Sequence, residues 1–113
     1  MNCWMNFKII PTKFFSRQLK RLAKKYPSLK DDLHSLNREL KENPMMGEPL
    51  GKDCYKIRVA IASKGQGKSG GARVISLVRV VKNTVYLISI YDKSEEDSIS
   101  DKEIDNLLKM IDL

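Results

Sequence analysis

Two apolar series at helical spacing, broken by one proline, most constrain what this chain can fold into. Phe15, Leu19, Leu22 and Tyr26 recur at i, i+4, i+7 and i+11. They share one face of a helix that leaves Lys20, Arg21, Lys24 and Lys25 in solvent. Pro27 ends that series, and Leu29, Leu33, Leu36 and Leu40 begin a second one, which Asn43 and Pro44 stop. Thr12 and Ser28 stand at the two starts as N-caps, with Asp31 in the first turn of the second helix. Two amphipathic helices joined by a single proline turn form an antiparallel hairpin that needs a flat apolar partner.

Later segments supply that partner by changing period from 3.6 to 2. Tyr55, Ile57 and Val59 alternate with Lys56, Arg58 and Ala60, giving a strand with one apolar and one charged face. Arg73 to Val81 is a second β-branched run. Thr84 to Tyr91 is almost continuously apolar, as in a strand covered on both sides, and Lys82-Asn83 suits the turn between them. Phe7 to Ile10 reads as a short opening strand. At the other end Ser100 and Glu103 form a capping box ahead of Ile104, Leu107, Leu108 and Ile111. The order β-α-α-β-β-β-α describes an α+β domain. It predicts a mainly antiparallel four-stranded sheet, an N-terminal helix hairpin on one face, a short C-terminal helix, and an opposite face at least partly open.

Length and composition agree with one domain over residues 1–113. A chain of 113 residues holds a single core. Cys3 and Cys54 form neither a disulfide framework nor a metal-ligand cluster, so no structural metal and no cofactor is expected. The opening MNCWMNFKII is too short and polar for a signal peptide, and no apolar run approaches a membrane span. A reduced, cytoplasmic, soluble protein is expected.

The net charge of +7 is unevenly placed. Residues 52–93 carry nine Lys/Arg against Asp53 and Asp92, whereas residues 94–113 carry seven Asp/Glu against Lys102 and Lys109. A concentrated positive surface attracts polyanions, which makes nucleic acid the first partner to consider. The segment SKGQGKSGGARVI contains Gly67, Lys68 and Ser69, the end of a phosphate-binding loop. That motif requires a glycine where Ala62 stands and a helix where a β-branched run follows, so nucleotide hydrolysis is excluded. A period of two instead places Lys56 and Arg58 on the face away from the apolar side chains. Lys64 and Lys68 lie in the loop, Arg73 opens the next strand, and Lys93 leaves the last one. Gly65, Gly67, Gly70 and Gly71 let such a loop approach a sugar-phosphate chain. His34 is a lone surface histidine. Cleavage of RNA by its own 2′-hydroxyl then needs a base, an acid and phosphorane neutralisation, which lysines and arginines crowded into one groove supply. Tyr91 either stacks on a base, moves a proton, or simply finishes a core strand.

DCYKIRVAIASKGQGKSGGARVI, VYLISIYDKSE and ISDKEI, together with KKYPSL and NPMMGEPLG, resemble the RelE/HigB toxins of bacterial type II toxin–antitoxin modules over roughly residues 14–105. The resemblance implies a RelE-like fold and a metal-independent endoribonuclease, an mRNA interferase that cuts messenger RNA in the ribosomal A site and so inhibits translation. It implies proton transfer and phosphate binding for Lys56 and Arg58, transition-state stabilisation for Arg73, and a place near the leaving group for Lys93. Ile99 and Ser100 stand where some relatives carry a tyrosine, which leaves the general base open. The implied partners are a cognate antitoxin, the ribosome and mRNA, with operator DNA contacted only through the antitoxin. A ParE-like gyrase inhibitor of the same fold, and an inactive RNA- or antitoxin-binding relative, are the alternatives.

Overall fold

The computed structural model describes residues 7–65, 67–95 and 98–111. Cys3, Trp4 and the rest of the opening segment lie outside them. The order is β1 (Lys8–Pro11), α1 (Lys13–Lys25), α2 (Leu29–Glu42), β2 (Glu48–Gly51), β3 (Cys54–Val59), β4 (Ala72–Arg79), β5 (Thr84–Asp92) and α3 (Asp101–Met110). The sheet has five strands in the order β1-β5-β4-β3-β2. All neighbours are antiparallel except β1 and β5. The strand missing from the sequence reading is β2. Its residues, EPLG, show no alternation and contain a proline, which an edge strand tolerates and a central one does not. It folds back on β3 through a turn in which Gly51, Lys52 and Asp53 all take positive φ.

The helix hairpin forms as its spacing predicts. Thr12 caps α1 by accepting from the Phe15 amide. Ser28 makes no side-chain cap and instead accepts from the Ser63 amide at 2.8 Å, which ties the hairpin to the loop after β3. Phe15, Leu22, Leu29, Leu33, Leu36 and Leu40 pack against Ile57, Val59, Val74, Val78, Val85 and Ile90 in one cluster. A second cluster occupies the other face of the sheet, where Ile104 and Leu107 of α3 cover Cys54, Ile75, Leu77, Ile88 and Tyr91. The expectation of an opposite face left partly open holds at one end only, because α3 closes the rest. Its capping box is formed by Ser100 and Glu103.

β5 departs from strict alternation. Its register with β4 shifts between Ile75 and Ser76, and one residue more lies on the β5 side. Tyr86 and Ile88 face α3, and past this bulge so does Tyr91, where simple alternation would place Ile90. The Ile90 amide beside the bulge donates to Gln18 Oε1 at 3.0 Å.

Candidate functional site

Strand pairing brings three of the expected residues onto one rung. Arg58 of β3 lies opposite Arg73 of β4, and Arg73 lies opposite Tyr91 of β5. All three project from the face on which α3 packs, where Tyr91 is buried in the α3 cluster and only Arg58 stands clear. Like charges directly opposite in a sheet destabilise it, so folding alone gives no reason for an Arg–Arg pair. Arg58 is exposed.

Arg73 is not. It is 4% exposed, and its guanidinium donates to Lys68 O at 2.8 Å, Ala72 O at 3.1 Å and Ser69 O at 3.2 Å. Burial, with a smaller contribution from the Arg58 charge, lowers its pKa from the usual arginine value, though an arginine at neutral pH stays charged. The glycine loop is therefore clamped at its C-terminal end by the residue expected to meet the phosphate. Gly71 completes the clamp. Its carbonyl accepts from the Lys93 amide at 3.0 Å, and a Cβ there would stand 2.0 Å from Val59 O.

Lys56 lies two residues along the same face, with its ammonium 3.0 Å from Glu48 Oε2 on β2. The sequence reading passed over Glu48. The hydrogen bond from Lys56 and then its charge, helped by Arg58, hold the Glu48 carboxyl below the usual carboxylate range, and it is ionised at neutral pH. Its signal lies in the register: Glu48 is the direct partner of Lys56 once β2 is recognised as a strand. Lys68 is exposed and, with Arg58, lines a hollow against Asp32, Ser35 and Glu39 of α2, where β3 runs past its pairing with β2. Lys93 is half-buried at the end of β5.

Lys64 has its ion-pair partner inside the fold. Expected as an RNA contact, it lies on the helix-hairpin side of the sheet, its side chain 9% exposed and its ammonium 2.7 Å from the fully buried Asp92 carboxylate. Tyr26 Oη, Ser94 Oγ and the Ser94 amide also donate to Asp92. Burial alone would raise the Asp92 pKa, but the bonds from Lys64, Tyr26 and Ser94 outweigh it and hold the carboxyl far below the usual range. The lysine anchors the start of the loop, and the loop is pinned at both ends rather than freely flexible. Among the described residues no cluster of His, Cys, Asp and Glu could hold a metal ion, and no helix is long and apolar enough to cross a membrane.

The site thus sits in a small α+β domain whose five-stranded sheet carries two helices on one face and one on the other. The family described as RelE toxin of the RelE/RelB toxin–antitoxin system matches residues 8–112, and the chain belongs to it. Among solved structures it is similar to a free mutant of the E. coli toxin RelE, at 21% identity and TM-score 0.60, covering 93% of this chain and 97% of that one. It is also similar to E. coli RelE crystallised alone, at 21% identity and TM-score 0.56, covering 93% and 99%. A third similar structure is that of the intact E. coli RelBE toxin–antitoxin complex, at 20% identity and TM-score 0.58, covering 76% and 95%.

Proposed function

We propose that this toxin is a metal-independent endoribonuclease that cuts messenger RNA on the ribosome, with the scissile phosphate at the Arg58–Arg73–Tyr91 rung. The observation that carries this reading is the rung itself: two arginines in direct register, a pairing that costs stability unless an anion lies between them. Arg58, exposed and without an ion-pair partner among the described residues, takes the phosphate first. Arg73 follows when the loop carbonyls release it, and adds its charge as the phosphorane forms. Glu48, ionised and steadied by Lys56, accepts the 2′-hydroxyl proton. The 2′-oxygen then bonds to phosphorus, the bond to the 5′-oxygen breaks, and a proton from the Lys93 or Tyr91 side returns to that oxygen. Lys68 extends the cationic edge beside Arg58 for the neighbouring nucleotides. The partner that silences the site is a cognate antitoxin, in keeping with the toxin–antitoxin complex among the similar structures.

Mapping transcript 5′ ends shortly after induction tests this. Wild type should give new ends within ribosome-bound messages, and Arg58→Ala should remove both the ends and the growth arrest. Its melting temperature should equal or slightly exceed that of wild type, because the change removes the repulsion from Arg73 and breaks no ion pair. An Arg58→Ala protein that still cuts would place the phosphate elsewhere. Growth arrest with intact transcripts and DNA-damage signalling would instead identify a gyrase inhibitor.

A further inference from the structure

The helix packed on the opposite side of the sheet from this rung carries a charge pattern that neither the fold nor the proposed cleavage uses. α1 holds Lys13, Arg17, Lys20, Arg21, Lys24 and Lys25 and no acidic residue. Lys13, Arg17, Lys20 and Lys24 follow one another at i, i+4, i+7 and i+11. At 3.6 residues per turn they fall within an arc of roughly 60° and span about 16 Å along the helix. All four are exposed, and among the described residues none has an ion-pair partner. Arg21 and Lys25, on the flank of the row, are the ones that meet Glu95 and Asp92.

α2 serves as an internal control for the view that such charges only keep a helix in water. Its 14 residues mix Lys30, Arg38 and Lys41 with Asp31, Asp32, Glu39 and Glu42. Interspersed signs are what solvation alone produces, and like charges at i, i+4 oppose helix formation. α1 instead places Lys13 four residues from Arg17, and Lys20 four from Lys24, with no compensating acid. Of the large exposed apolar side chains, Ile10 and Met110 border a hollow that also holds Lys13 and Arg17, at the start of the row, and that hollow does not reach Lys20 or Lys24. A straight, unpaired, purely cationic row matches a regularly repeating polyanion.

We propose that the outer face of α1 is a second RNA-binding surface, on the side of the sheet away from the Arg58 rung, which grips the sugar-phosphate backbone of folded RNA without reading sequence. It stands whether or not the rung cleaves RNA. Counterion release makes it measurable. Each backbone phosphate neutralised contributes roughly 0.7 to 0.9 to the slope of log affinity against log salt, so four cations contribute about 3.

The test is binding of the full-length chain to a 2′-O-methyl RNA hairpin, which cannot be cleaved through its own 2′-hydroxyl, over a series of KCl concentrations. The variant Lys13→Gln, Arg17→Gln, Lys20→Gln, Lys24→Gln should lower the slope by about 3 and weaken binding at low salt more than tenfold. A charge-matched control, Arg38→Gln, Lys41→Gln, Lys102→Gln, Lys109→Gln, should change the slope by less than about 1. Circular dichroism checks folding. If the quadruple variant unfolds, Lys20→Gln with Lys24→Gln should lower the slope by about 1.5. Equal effects of the two charge-matched variants would show diffuse attraction and overturn the proposal, as would an unchanged slope. Displacement of the hairpin by polyglutamate as effectively as by unlabelled RNA would assign the face to an acidic polypeptide and also overturn it.

Discussion

Lys64 and Asp92 form the most buried ion pair among the described residues. The carboxylate is fully buried, and each bond that satisfies it comes from a different place: Lys64 in the loop, Tyr26 at the end of α1, Ser94 just beyond β5. Removing one partner of a buried pair leaves the other uncompensated, which costs about 3 kcal/mol. Asp92→Asn should lower stability at neutral pH by about that amount, measured from urea midpoints. The sign of the pH dependence follows from the lowered pKa. The folded state holds Asp92 ionised to lower pH than the unfolded chain does, so its contribution is complete above the unfolded value of about 4 and fades as pH falls below it. Wild type should therefore lose stability on acidification below about pH 4, and Asp92→Asn should flatten that limb. An unaltered acid limb in the variant would show that other carboxylates control it.

Elements rather than single side chains hold the glycine loop. Its start is fixed by Ser28 and Asp32 of the hairpin, through the amides of Ser63 and Ala62. Its end is fixed by Arg73 and by the close approach of Gly71 to Val59. Gly71 thus serves contact between β3 and β4 rather than loop mobility. Gly71→Ala would push a methyl group into a backbone carbonyl that the sheet holds in place, with an expected loss of about 3 kcal/mol. The same change should reduce cleavage, since it separates the strands that carry Arg58 and Arg73. Urea denaturation and transcript mapping on one variant check both effects, and a stable, fully active Gly71→Ala would show that β3 yields there. Much of this level was legible in advance. Both hairpin helices, the Ser100–Glu103 capping box and the register-defining alternation of β3 follow from spacing. β2 was not, because a four-residue edge strand containing proline lacks the alternation that marks a strand.

At the scale of the whole molecule, charge is organised by surface. The net charge of +7 divides between the rung end of the sheet and the outer face of α1, while the acidic stretch of residues 94–113 includes α3. An antitoxin approaching such a particle is steered by its field, and steering acts on association more than on dissociation. Stopped-flow mixing with a cognate antitoxin should show association slowing by roughly tenfold or more as salt rises toward physiological strength, with dissociation nearly constant. A salt-independent association rate would mean that apolar contacts alone guide the encounter.

The sequence by itself determined every element type but β2, the hairpin, the family resemblance, and the placing of Lys56 and Arg58 on the face opposite the helix hairpin, because helical and strand periods are local properties of neighbouring residues. Tertiary structure alone decided three matters. It paired Glu48 with Lys56, it turned Tyr91 onto the face of Arg73 through the β5 bulge, and it drew Lys64 away to Asp92. Each depends on how segments far apart in the chain meet, and no period within one segment encodes the register or the bulge of its neighbour.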